Sequence, residues 1–122
     1  MTTLGWAWHV HDDFLLEPLT ESIEVRRDYI RMAKAKPEQP LRLRLLKPVT
    51  GRLPVQLVEA RATYDEARAA YKLVWSPTYD QVGAAYRQAC AAPDVLALHA
   101  QECPDCTWNG LTIFSRKEGS RT

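Results

Sequence analysis

"HAQECPDC", residues 99–106, decides how the two ends of this chain are read. His99 precedes Cys103 by four residues, so on a helix both project from the same face. Pro104 then breaks the helix, and Cys106 can swing back beside Cys103. A Cys-Pro-x-Cys turn presents two sulfurs to one ion, because its backbone amides can also donate to those sulfurs. Zinc in a closed structural site takes four ligands, and three of them are already local here. The chain has three histidines in all, and the other two are His9 and His11. The expected site is therefore His99, Cys103, Cys106 and one of His9 or His11, holding one structural zinc per chain. The remaining N-terminal histidine lies beside the site, and Asp12 or Asp13 can orient a ligating imidazole through its second nitrogen.

That site needs the two ends of the chain to meet. "GWAWHVH", residues 5–11, alternates as a strand does, with Trp6, Trp8 and Val10 on one side and Ala7, His9 and His11 on the other. Trp108-Asn109-Gly110 reads as a turn, and "LTIF", residues 111–114, has the composition of a strand. Pairing the two segments would carry His9 or His11 to the cysteines.

The middle of the chain is helical. Thr20 can cap a helix that opens with Glu21 and Glu24 and closes with Lys34 and Lys36, before Pro37. "PLRLRLLKPV", residues 40–49, fits either an edge strand or a short helix, and Pro40 with Leu41, Leu45 and Leu46 favours the helix. "TGRLP", residues 50–54, is a turn. From Val55 a long helix follows, with no Gly or Pro until Pro77. It has two apolar stripes: Leu57, Tyr64, Tyr71 and Trp75, and, nearly opposite, Val55, Val58, Ala62, Ala69 and Leu73. A helix apolar on two faces is sandwiched or self-associates. "TYDEARAAY" (63–71) recurs as "TYDQVGAAY" (78–86), and the intervening Ser76-Pro77 either kinks the helix or turns it back. A last helix restarts at "AAPD" (91–94) and carries His99. Cys90 reads as a small buried residue outside the site.

Composition bounds the rest. With 122 residues, 46% of them apolar and 25% charged, the chain has the balance of one folded domain over 1–122, with 115–122 as a tail. No apolar run approaches a membrane span, and the first residues do not resemble a signal peptide, so a cytoplasmic, reducing setting is expected. Net charge is +1, yet nine Lys/Arg against two acids fall between Arg26 and Arg52. That basic segment, with Arg42, Arg44, Lys47 and Arg52, offers a surface for phosphates.

Other chemistries fit less well. A thioredoxin-like redox pair sits at a helix start, where the dipole lowers a thiol pKa, whereas Cys103 follows a helix end. The zinc deaminase signature needs Glu where Gln101 stands, and a later cysteine pair. A hydrolytic zinc, with Asp12 or Asp13 as base, needs an open position for water. No glycine-rich phosphate loop is present, and no small-molecule substrate is indicated.

The chain resembles small bacterial, prophage and metagenomic proteins that share Trp6, Trp8, His9 and His11 at their start. The resemblance continues through "RLRLLKPV" (42–49), "ARAAY" (67–71) and "LHAQECPDCTWNGLTIF" (98–114), and so spans nearly the whole chain. Pro77 departs from it by interrupting the heptads. The resemblance implies the His/Cys site and a prophage-like setting, and implies no mechanism.

The fold expected is mainly α: a helical bundle with a long helix or helical hairpin, plus a small β element joining the terminal segments at a zinc knuckle. The function expected is non-enzymatic, a structural-zinc protein acting by contact with a protein partner or a second copy of itself. The alternatives are a nucleic-acid-binding module and a small zinc hydrolase.

Overall fold

Trp6, Ala7 and Trp8 form the first strand, β1 (Trp6–Trp8), which stops where His9 adopts a left-handed backbone with φ of 58°. The computed structural model describes residues 5–11, 13–71 and 77–114. β1 pairs antiparallel with β2 (Leu16–Pro18) on one side, Trp8 opposite Leu16, and with β3 (Lys47–Pro48) on the other, Trp8 opposite Lys47. The sheet order is thus β2-β1-β3. Prolines 18 and 48 lie on the outer strands, where a missing N–H is tolerated.

This arrangement corrects the expected partner of β1. Both of its edges are filled by β2 and β3, so "LTIF" has no ladder to join and is not a strand. Its backbone closes locally instead. The Asn109 side-chain oxygen accepts from Leu111 N and Thr112 N at 2.9 and 3.0 Å, and Asn109 N donates to Thr112 O at 3.1 Å. Gly110, at φ 102°, supplies the left-handed residue that the turn needs.

Helix α1 (Ile23–Ala33) is capped by Ser22, whose hydroxyl accepts from Val25 N, and not by Thr20. It ends before Pro37, which lies in a short 3-10 helix at Lys36–Glu38. The Gln39 amide donates back to the Lys34 and Arg31 carbonyls and so caps the end of α1. The ambiguous arginine-leucine stretch is helix α2 (Gln39–Leu45), as Pro40 favoured. Ile30 of α1, Leu46, and Ala7, Val10 and Leu19 of the sheet region form one apolar cluster. Leu45 packs with Cys103 and Ile113 in a second.

The chain divides into two compact units: residues 1–50 with 99–122, and residues 51–98. The second holds α3 (Val55–Tyr71) and α4 (Pro77–Cys90), and α5 (Pro93–Glu102) runs from it into the first. Residues Tyr64 and Tyr79 would stand about 22 Å apart on one continuous helix. Their rings stack at 5.7 Å, so the chain doubles back as a helical hairpin. These two tyrosines are equivalent positions of the internal repeat. Tyr64 also stacks on Tyr86, and Arg61 lies over both rings while bound to Asp65 at 3.0 Å. Leu57 and Tyr64 of the first stripe are buried; Val55, Val58, Ala62 and Ala69 of the second are exposed. Leu73, Trp75 and Ser76, like Asp12 and the 115–122 segment, lie outside the described residues. Among the described residues, no helix is long and apolar enough to cross a membrane.

A Cβ built on Gly83 would meet the Tyr64 ring at 3.5 Å, an ordinary contact. Gly83→Ala is therefore expected to raise stability by up to about 1 kcal/mol, from helix propensity. Gly83→Leu is expected to lower it by about 1–3 kcal/mol by displacing Tyr64. Urea denaturation of both variants checks the hairpin packing.

Candidate metal centre

His9 comes to the site because β1 ends one residue before it. The left-handed turn at His9 takes the chain out of the alternating pattern, and His9 N donates to Leu15 O at 2.9 Å. The imidazole is consequently buried, at 3% exposure. His11, two residues on, leaves the site. Its Nδ1 bonds Glu17 Oε1 at 2.7 Å, with the histidine side chain 50% exposed and the glutamate 6%. The structure thus chooses between the two expected ligands, and His9 is the one brought to the cysteines.

The other three donors come from one local turn. Cys103 N bonds His99 O at 2.8 Å, continuing the helical pattern and stacking the two side chains one turn apart. Cys106 N then bonds Cys103 O at 3.2 Å, which closes the turn around Pro104 and Asp105. Trp108 N donates to Cys106 Sγ at 3.4 Å, the amide-to-sulfur bond expected of such a knuckle.

His9 Nε2 lies 3.2 Å from His99 Nε2 and 3.0 Å from Cys106 Sγ. Donor atoms of His9, His99, Cys103 and Cys106 all fall within 4.8 Å of one another, and the cluster can hold a metal ion. Two imidazole nitrogens that face each other in this way can share one proton at most. Where both aim lone pairs at a common point, a cation satisfies them together.

The surroundings favour the uncharged forms of His9, His99 and Cys103. Burial, then His99 and Lys47, push the His9 imidazole down to about 3. His99 is lowered by burial and then by Lys47. Burial and the adjoining Cys106 push the Cys103 thiol up to about 12, against the pull of Lys47 and Arg44. Neutral imidazoles are ready to ligate, whereas Cys103 must give up its proton, so metal binding releases protons.

Neighbouring side chains fix the donors in place. Glu102, next to Cys103, accepts from Trp8 Nε1 at 3.0 Å and from Thr50 N and Oγ1 at 2.9 and 2.6 Å. It ties the end of α5 to β1 and to the residues after β3. The Trp8 ring lies 5.0 Å from the His99 ring, and Trp108 lies 5.7 Å from His9. Sequence reasoning did not single out Glu102 or Trp8 for this role. The only sequence signal was their adjacency to Cys103 and His9. Asp12, one of the two carboxylates expected to orient a ligand, lies outside the described residues. His9 Nδ1 is buried with no hydrogen-bond partner among the described residues.

The basic segment is largely engaged within the protein. Arg26 donates to Val10 O at 2.9 Å, Arg27 binds Glu24, and Arg31 binds Asp28. Arg42 is buried against Glu38 and lies over the Phe114 ring. Arg44 is exposed and reaches Asp105 O at 3.3 Å, and Lys47 stands in β3 beside Trp8. Arg52 is exposed in the second unit.

No protein-family model matches this chain, and neither a curated protein nor a solved structure is similar to it.

His9→Ala is expected to abolish stoichiometric metal binding, while His11→Ala retains it; metal content by mass spectrometry separates the two. Equal loss from both variants would contradict the four-donor set. A pH effect follows from His9 in chelator-treated protein. Its imidazole takes a proton near 6.5 when unfolded and only near 3 when folded. Between those values the unfolded chain binds more protons, so stability falls as pH falls from about 6.5. Urea midpoints at pH 7.5, 6 and 5 are expected to decline, less steeply in His9→Gln.

Proposed function

We propose that this protein is a structural-zinc protein that acts by protein–protein contact, with a second copy of itself as the first partner to test. The observation that carries the metal half is the convergence of His9, ninety residues distant, on the His99-Cys103-Cys106 turn. Two sulfurs and two imidazole nitrogens are a donor set that suits zinc. With Zn–N of about 2.0–2.1 Å and Zn–S of about 2.3 Å, tetrahedral nitrogens stand about 3.3 Å apart. The 3.2 Å between the two Nε2 atoms agrees with that edge. Four protein donors complete the coordination shell, which supports a structural role and leaves no position for the water a hydrolase requires.

The contact half rests on α3. Val55 is 66% exposed and Val58 43%, one turn apart on the same helix and continuing into exposed Ala62. Leu57 and Tyr64 fill the other face, so this stripe remains for a partner. The nucleic-acid reading has less support, because Arg26, Arg27, Arg31 and Arg42 already answer acids or carbonyls of the chain.

Native mass spectrometry of the purified protein reads both halves at once. One zinc per chain and an even number of chains are expected. Val58→Lys is expected to give monomers that keep their zinc. Chelation is expected to lower Tm by roughly 10 °C or more, from the loss of several kcal/mol. Cys103→Ser and Cys106→Ser should reproduce most of that loss and Cys90→Ser little of it. Equal melting temperatures for all three would sink the zinc reading.

A further inference from the structure

We propose that Cys106 is an oxidation site for hydrogen peroxide, with Cys103 as the resolving sulfur, so that a Cys103–Cys106 disulfide forms and the metal is expelled. This rests on the zinc reading above. The two sulfurs differ in access: Cys103 is buried at 2% exposure, whereas Cys106 is partly exposed. They are nevertheless close, with their donor atoms inside the 4.8 Å cluster. The bond from Cys106 N to Cys103 O at 3.2 Å makes residues 103–106 a tight turn. Such a turn holds its end Cα atoms within about 7 Å, and a disulfide spans about 4.4–6.8 Å between Cα atoms. The backbone therefore accepts either a shared ion or a direct S–S bond.

The chemistry is balanced in two steps. A metal-bound sulfur is a thiolate, and thiolate is the form that peroxide oxidises. The Cys106 thiolate attacks one peroxide oxygen, the O–O bond breaks, and hydroxide leaves; the sulfur becomes a sulfenic acid. The Cys103 thiolate then attacks that sulfur, an S–S bond forms, and a second hydroxide leaves. Two thiolates and one peroxide give one disulfide and two hydroxides, with two electrons passing from sulfur to oxygen. Arg44, bound to the Asp105 carbonyl at 3.3 Å, sets a cation at this turn, where the attacking and leaving groups are anionic.

Loss of both thiolates leaves only His9 and His99, too few ligands to hold zinc. The Trp8–Glu102–Thr50 bonds do not involve sulfur and keep the end of α5 joined to β1. Oxidation thus removes the ion without removing every tie between the two ends of the chain.

The test uses zinc-loaded full-length protein and hydrogen peroxide at one equivalent. Released zinc is followed with a chromogenic chelator, and cysteines are mapped by differential alkylation and mass spectrometry. Zinc is expected to leave one for one with a Cys103–Cys106 disulfide, roughly tenfold faster than Cys90 is modified. A thiol reductant with added zinc should restore the starting state, and Cys90→Ser should behave as the parent. Zinc retained under peroxide, or released with sulfinic acid or an intermolecular disulfide, overturns the proposal while leaving the zinc site standing. Protein that never binds zinc overturns both, and the starting metal content tells these failures apart.

Discussion

The two ends of the chain meet in the first unit at one convergence, His9 Nε2 lying 3.2 Å from His99 Nε2 and 3.0 Å from Cys106 Sγ. A chain of this size closes its ends only if something offsets the entropy of a loop of about ninety residues, and that cost grows slowly with length. A metal ion shared by those donors is well suited to it, since ligation free energy becomes folding free energy. The surroundings are arranged consistently. Burial keeps both imidazoles neutral, and Lys47 adds to that effect on each.

A polar frame surrounds the converging donors. Glu102 accepts from the indole of Trp8 and from both the amide and hydroxyl of Thr50, so one carboxylate joins α5, β1 and the segment that follows β3. Three donors on one carboxylate are a charge-assisted network, stronger per bond than neutral pairs. It holds the end of α5, which carries His99 and Cys103, beside the strand that leads into His9. The apolar cluster of Leu45, Cys103 and Ile113 buries one sulfur and leaves Cys106 nearer to solvent. That difference in access is what separates the two cysteines chemically.

The second unit follows a different rule. Its repeat places tyrosines so that equivalent positions stack when the chain reverses, Tyr64 on Tyr79, with Tyr86 on the other contact and Arg61 across two of the rings. Burial and the Tyr79 hydroxyl push the Tyr64 phenol up to about 12, so Tyr64 keeps its proton. The hairpin uses Tyr64 of one apolar stripe of α3 in this packing and leaves Val55 and Val58 of the other exposed.

Local chemistry made much of this legible from sequence. The i, i+4 spacing of His99 and Cys103 and the helix break at Pro104 act over a few residues, and both appear as read; the turn expected at Trp108-Asn109-Gly110 lies at Asn109–Thr112 instead. Helix α2, set by Pro40, and the helical character of 55–71 also appear as read. Tertiary structure decided what local rules cannot reach. It chose His9 over His11, because a left-handed residue ended β1 and Glu17 captured His11. It gave β1 two neighbours other than "LTIF", because strand propensity depends on the packing a segment finds and not on composition alone. It buried Arg26 and Arg42 of the basic segment against a carbonyl and an acid and left Arg31, Arg44 and Arg52 exposed, since charge in a sequence carries no direction until a fold supplies its partners.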